Sequence, residues 1–333
     1  MMGPVFWFRH RHKIQLPTGS PYLADYDFTG GTLPSGTSLT RSSVATYFNS
    51  SSYLASADIN TARFDHDPVT GAFKGLLLEG QSSNIQRYSN IGDGTGWTAD
   101  RATVSVDASI IDSFGGNNAT KFADTTDNTM HRLYAGVTTT ITSGEKYTLS
   151  VYVKAGTYSV VGMSSGSTTG LGWAAFDLAN VVVGNSSTSG TPFITPLANG
   201  WFRVGIRGAT SSLTGTPTAG VILFLMNNNP NATYNAPQGQ PAYIGDGSYV
   251  YVSTAQIESE LVETSPILNV VSTTVTRAAD QQLLNVPNGG SLLRLIFDDE
   301  STQDFEVTAY AGASYALDPT LLDRRHLKRA VIL

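Results

Sequence analysis

The 333-residue sequence predicts an all-β protein, and three observations carry that expectation. Short runs rich in β-branched and aromatic residues recur along the chain, helix signals are scarce, and turn chemistry separates the runs at the spacing of sandwiches or barrels. In order, the runs include YDF, ATYF, YLASA, ARFDHD, FKGLLLE, TVSVD, TKFAD, YTLSVYVKA, GWAAFDL, WFRVGI, GVILFLM, SYVYV and LLRLIFD.

Residues 1–21 read as an extended arm. Pro4 and Pro17 resist helix, and Phe6, Trp7 and Phe8 are costly to leave in water unless another surface covers them. The apolar patch is too short for a signal-peptide core, and its basic cluster, Arg9, Arg11 and Lys13, follows it instead of preceding it. These six side chains are the expected anchor of the arm on a neighbouring surface.

Residues 22–83 read as a small β region with a turn at Asp67-Pro68-Val69-Thr70-Gly71. Residues 84–264 are long enough for a full two-sheet core. Within them the run from Tyr147 to Lys154 puts Tyr147, Leu149, Val151 and Val153 on one face and mostly polar residues on the other. Val221 to Leu225 is apolar on both faces, as a central strand must be. Residues 265–333 read as a linker and a C-terminal β module with a turn at Asp298 to Ser301. The best helix signal is Asp318-Pro319, a cap followed by proline at the first helical position, with room for about two turns. Arg329 to Leu333 could equally return as a strand.

Composition excludes several classes. Only 14% of the residues are charged, against roughly 25% in typical domains, and Ser and Thr fill the gap. No apolar run approaches the roughly 18 residues of a membrane helix, and with no cysteine there is no disulfide, thiol nucleophile or thiolate zinc site. The net charge of −6 conceals a pattern. Seven of the 20 basic residues sit in the arm and at the C-terminus, and all 26 acids lie between, so span 14–323 carries −13. That disfavours a nucleic-acid-binding body.

Several blocks carry a resemblance. Tyr26-Asp27-Phe28, then SLTRSSVATYFNSSSYLASA and ARFDHDPVTGAFKGLLLEGQSSN, are similar to a module of tail-fibre, tail-tip and head-spike proteins of tailed bacteriophages. Gly96-Trp97-Thr98, YTLSVYVKAG, NGWFRV, GDGSYVYVSTAQIE and VTRAAD follow in that family's order, and LLRLIFDDESTQDFEV and DRRHLKRAVIL resemble its closing β-module. The resemblance covers about 22–333. It departs at Leu78, at Ser83 and at Thr264-Ser265-Pro266-Ile267, which lie in the linkers. It implies a central carbohydrate-binding-module-like jelly-roll sandwich and a virion component, a fibre or spike on tail or head. The implied partners are other virion proteins through the arm, further copies of the chain with a trimer favoured, and host surface polysaccharide. No nucleic acid and no membrane insertion are implied.

For sugar binding, an aromatic face needs amides or carboxylates beside it. Trp173, Tyr134, Tyr234 and Tyr249 with Asn227 to Asn229, Asn228 central, and Asp246 supply those types, although sandwiches also bury many tyrosines. Asp246 in Tyr243-Ile244-Gly245-Asp246-Gly247-Ser248 is a candidate ligand for a structural calcium, a tight turn being the other reading; no other cofactor is expected. Asp65 with Asp67, and Glu258 with Glu260, are formal glycosidase pairs, but acids two apart on a strand are more often solvated. The pattern favours a non-enzymatic protein. A decoration or connector protein without ligand and a glycan-degrading enzyme are the rivals.

Overall fold

A computed structural model of the chain describes residues 22–166, 170–232 and 240–333. The arm with Phe6, Trp7, Phe8, Arg9, Arg11 and Lys13, and also Tyr234, lie outside the described residues. The fold is all-β and antiparallel, and the only helical pieces described are the 3-10 turns Thr308–Tyr310 and Pro319–Leu321. The Asp318 signal thus yields one turn, not two. Asp318 does cap it, accepting from the Thr320 N–H at 2.9 Å, but the next residues leave in extended conformation.

The central domain is a sandwich of two six-stranded sheets. The first runs in the order Thr191–Pro196, Trp201–Thr210, Lys146–Ala155, Tyr249–Glu258, Ala119–Asp124, Ala102–Asp107. The second runs Val182–Ser187, Trp173–Asp177, Val160–Ser165, Val221–Leu225, Arg132–Tyr134, Thr98–Asp100. Alternation sets the core between them. Leu149, Val151 and Val153 meet Val161, Met163, Phe176, Leu223 and Leu225 there, all fully buried. Val221–Leu225 is an interior strand, and its other face, Ile222 and Phe224, packs with Val160, Ala175 and Met226.

The segments on either side of the sandwich do not form two separate modules. They share one six-stranded sheet, ordered Thr302–Glu306, Leu292–Phe297, His326–Ile332, Phe73–Leu77, Phe64–His66, with Ala24–Asp27 also paired to His326–Ile332. A three-stranded sheet, Thr37–Thr40, Gln281–Asn285, Ser314–Leu317, lies near it, and the core they share includes Phe28, Leu39, Leu76, Leu284, Leu295, Phe297 and Leu327. This unit, here called the base, is therefore closed by the last strand of the chain. The sandwich is an insertion in it. Its two connectors pair with each other, Ser82–Asn84 against Val275–Arg277, as a two-stranded stalk.

A hairpin of the base, Ala45–Phe48 with Leu54–Ala57, leans on the outer face of the first sheet. Leu54 and Phe48 pack there with Tyr152, Leu197, Trp201 and Tyr251, and the Trp201 indole donates to Ile111 O at 2.9 Å. This contact explains why the polar face of Lys146–Ala155 is buried as well: Thr148, Ser150 and Tyr152 are at most 2% exposed.

Gly75 marks the tightest strand approach in the base. Its φ is +107°, and a Cβ there would lie 2.4 Å from Leu327 O in the neighbouring strand. Replacing Gly75 by Ala should cost about 3 kcal/mol or more, through both steric overlap and a backbone conformation nearly exclusive to glycine. Gly144→Ala, also at positive φ but with open space around it, isolates the conformational part at about 1 kcal/mol. Urea unfolding midpoints of the two variants check this; equal losses would mean the overlap with Leu327 is relieved cheaply.

Candidate functional site

Six of the motif blocks bring charged side chains to the seam between base and sandwich. Arg41 comes from SLTRSS, Arg63 and Asp65 from ARFDHD, Glu79 from GLLLE, Arg277 and Asp280 from VTRAAD, Arg203 from NGWFRV and Glu258 from the end of STAQIE. Arg41, Arg63 and Arg277 are at most 1% exposed, and Asp280 is fully buried. Charges at such depth persist only when paired and hydrogen-bonded.

Arg63 is the centre of the network. Its Nη1 donates at 2.8 Å to Thr46 O, to Glu79 Oε2 and to Ser265 Oγ, while its Nη2 pairs with Asp280. Asp280 also accepts from Arg41 Nη1 at 2.8 Å and from the Glu79 backbone N–H at 2.9 Å. Glu79 in turn accepts from the Ser265 N–H and hydroxyl at 2.9 and 2.6 Å and meets Arg325 at 3.2 Å. Arg277 lies 3.3 Å from Glu79, close enough for charge attraction but without an aligned hydrogen bond. Burial alone would raise the Glu79 carboxyl; Arg277, Arg63 and Arg325 together with the Ser265 hydroxyl hold it well below the ordinary range.

The same seam uses the sandwich side. Glu258 accepts from Ser82, Gln256 and both donors of Thr264, so its two oxygens bind the stalk and linker in place. Arg203 donates to Thr264 O at 2.8 Å and to Ser150. Arg207 and Glu263 form a two-point pair at 2.5 Å. Burial pushes the Tyr152 phenol up to about 12. Asp65, Glu79, Arg203, Glu263, Arg325 and His326 surround a cavity of about 100 Å³. Small-molecule sites run from about 300 to 1,000 Å³, so this one is a gap in a polar seam.

The formal carboxylate pairs do not converge across a cleft. Asp65 accepts from the Phe48 N–H at 2.6 Å and faces His326 Nε2 at 2.7 Å, whereas Asp67 is half-buried and caps its own turn, accepting from the Val69 and Thr70 N–H groups. Glu258 is buried in the bonds just given. Burial, then the neighbouring charge of Glu258, raises the Glu260 carboxyl.

Of the sugar-binding candidates, two share a face. Trp173, Ser164, Ile222 and Tyr134 pair in register as one row across the second sheet, on the side away from the inter-sheet core. Three strand spacings separate Trp173 from Tyr134, about 14 Å. The floor of this face, Val160, Ala175, Ile222, Phe224 and Met226, is buried, and Arg132 sits 5.5 Å over the Tyr134 ring. The others lie elsewhere. Asn228 accepts from the Ser159 N–H at 2.8 Å in a turn with φ +53°. Tyr249 is on the first sheet with Lys121 Nζ 4.0 Å above its ring, which occupies a face that a sugar would need.

Asp246 is exposed and accepts from Ser248 N at 3.0 Å. Its turn is organised by a residue the sequence did not single out, Asp124. One Asp124 oxygen accepts from the backbone N–H groups of Asp246 and Gly247 at 3.1 and 2.7 Å; the other accepts from the hydroxyls of Tyr158 and Tyr243 at 2.8 and 3.2 Å. Burial and this carboxylate push the Tyr158 phenol up to about 12. Both Asp124 oxygens thus face N–H and O–H donors, which favours the tight-turn reading of Asp246 over calcium, and among the described residues no cluster of three or more His, Asp or Glu is placed to hold a metal. His131, fully buried nearby, places Nδ1 2.5 Å from Arg101 O and Nε2 3.2 Å from Tyr243 O.

No family model matches the chain, and no curated protein matches it.

Two measurements follow from these bonds. Glu79→Gln should cost about 3–5 kcal/mol at neutral pH, because it leaves buried guanidinium groups without their counter-charge. Since the folded Glu79 value is depressed, its stabilisation is complete above the ordinary glutamate value of about 4.3 and disappears as pH falls through the folded value, so Glu79→Gln should flatten the acid limb of the stability profile. An unchanged acid limb would place the acid-sensitive group elsewhere. At the turn, Asp124→Ala should cost about 2–4 kcal/mol through four orphaned donors, while Asp246→Ala and EDTA should leave the melting temperature unchanged. A fall in melting temperature on adding EDTA would restore the calcium reading.

Proposed function

We propose that the chain is a non-enzymatic virion structural protein of a tailed bacteriophage, a fibre or spike subunit that presents a β-sandwich on a rigid base. One observation carries the reading: the blocks that give the sequence its resemblance to such proteins supply the charged residues that grip the linker between sandwich and base, Arg203 and Glu258 at Thr264 from one side and Arg63 and Glu79 at Ser265 from the other. Their chemistry is architectural. The acids and arginines that an enzyme would present to a substrate are here bonded to each other and to backbone, and the seam cavity of about 100 Å³ is too small for a glycan. A part whose role is to hold one domain at a fixed angle to its mount has this distribution of polar groups.

In this reading the arm of residues 1–21 attaches the base to the particle, with Phe6, Trp7 and Phe8 supplying apolar contact and Arg9, Arg11 and Lys13 meeting an acidic surface. Host polysaccharide, if bound, contacts the Trp173 and Tyr134 row. The capping of Tyr134 by Arg132 and of Tyr249 by Lys121 favours a second reading, a connector or decoration protein without a glycan ligand.

Deleting residues 1–16 and supplying the protein in trans to particles that lack it tests the proposal. The truncated chain should stay folded and fail to sediment with particles; normal incorporation would overturn the anchoring role. On a glycan array, binding abolished by Trp173→Ala would favour the attachment reading over the connector. Shortening of host polysaccharide by the purified protein, lost on substituting Asp65 or Glu258, would overturn the non-enzymatic reading.

A further inference from the structure

At the stalk end of the sandwich, three stretches of chain without a single charged residue come together: 133–144, 208–232 and 264–276. The contacts between them are specific. Ile141 and Gly215 form a β-bridge, the hydroxyls of Thr140 and Thr216 lie 2.9 Å apart and those of Thr138 and Thr274 2.5 Å apart, and the Ser143 N–H donates to Thr214 Oγ1 at 3.0 Å. Leu261 lies against Gly208, within 4 Å of where a Cβ would stand, and Val271 O accepts from the Tyr88 N–H. This end carries exposed apolar side chains: Leu213 at 45%, Leu261 at 62%, Val262 at 50%, Val270 at 67% and Val271 at 44%. The charges nearest in the chain are Glu145, Lys146, Glu260 and the closed Arg207 and Glu263 pair, and exposed Arg87, whose N–H donates to Gly136 O, lies between two of the stretches.

We infer that this end of the sandwich is the surface through which copies of the chain associate with one another. The occupant follows from charge. The body between the termini carries −13, so two copies brought together on most faces oppose like charges. A face with few charges, several exposed apolar side chains and many hydroxyls is where identical acidic bodies meet with least repulsion, and Arg87, exposed within it, faces the acidic copy with the opposite sign. A basic partner would instead select one of the acidic faces. The inference rests on the proposed function only in taking the chain to be a subunit that assembles with its own kind.

The test is the molar mass of the purified full chain, by light scattering across a wide concentration range. The wild-type chain should associate, and Leu261→Asp with Val270→Asp should weaken association roughly tenfold or more. Ile244→Asp, equally exposed at 67% and at the opposite end of the sandwich, should not. Val262→Lys with Val271→Lys is the second pair, used if the first lowers the melting temperature. Association insensitive to both pairs would overturn this face while leaving the subunit reading intact. A single-chain mass at every concentration would overturn self-association altogether.

Discussion

The guanidinium of Arg63, enclosed by Glu79, Asp280, Thr46 and Ser265, is the constraint on which the remaining structure depends. It reaches into the first hairpin of the base, the start of the stalk, the linker after the sandwich and the strand that re-enters the base. Each charge alone would be destabilised by several kcal/mol at this depth. Together they satisfy one another only when all four segments are in place. The seam therefore rewards one arrangement and penalises neighbouring ones, which is the attested use of buried ionic groups as setters of register.

That constraint also explains the two-faced burial of the first sheet. A sandwich alone would leave Thr148, Ser150, Tyr152 and Arg203 in water; the base hairpin and the linker cover them, Thr148 bonds to Glu260 O, Arg203 to Thr264 O and Ser150, and the Arg203 guanidinium lies 5.5 Å over the Tyr152 ring. The hydrophobic effect assembles each core, and polar pairing decides how the two cores are joined.

Period-two alternation made the strands legible, because side-chain direction is local and repeats every second residue. It identified Val221 to Leu225 as buried on both faces and Leu149, Val151 and Val153 as core. It could not show that Ala24–Asp27 and Phe73–Leu77 pair with the last strand of the chain, since a partner some 250 to 300 residues away leaves no mark on local pattern. It also says which side of Lys146–Ala155 is polar but not what covers that side. For the site the limit is similar. Asp246 was conspicuous between two glycines, yet the organiser of its turn is Asp124, joined to it only through space. Two seam residues carried a usable signal: in a chain with so little charge, Arg63 stands between Ala62 and Phe64, which pack against the core, and Glu79 follows Leu78, which enters it, a sign of buried pairing more than of solvation, whereas Arg41, between Thr40 and Ser42, carried none.

The stalk has a consequence for how such a chain can vary. Asn84 and Val275 are directly paired, so the inserted domain enters and leaves the base through neighbouring points about 5 Å apart. Any domain whose own ends lie side by side could occupy that place without changing the length or direction of either connector. The base is then a socket and the sandwich a cartridge. What would have to be carried over with a replacement is a short set: a carboxylate standing where Glu258 meets the stalk, an arginine standing where Arg203 meets the linker, and an apolar patch like that of Tyr152, Leu197, Trp201 and Tyr251 for the base hairpin to rest on.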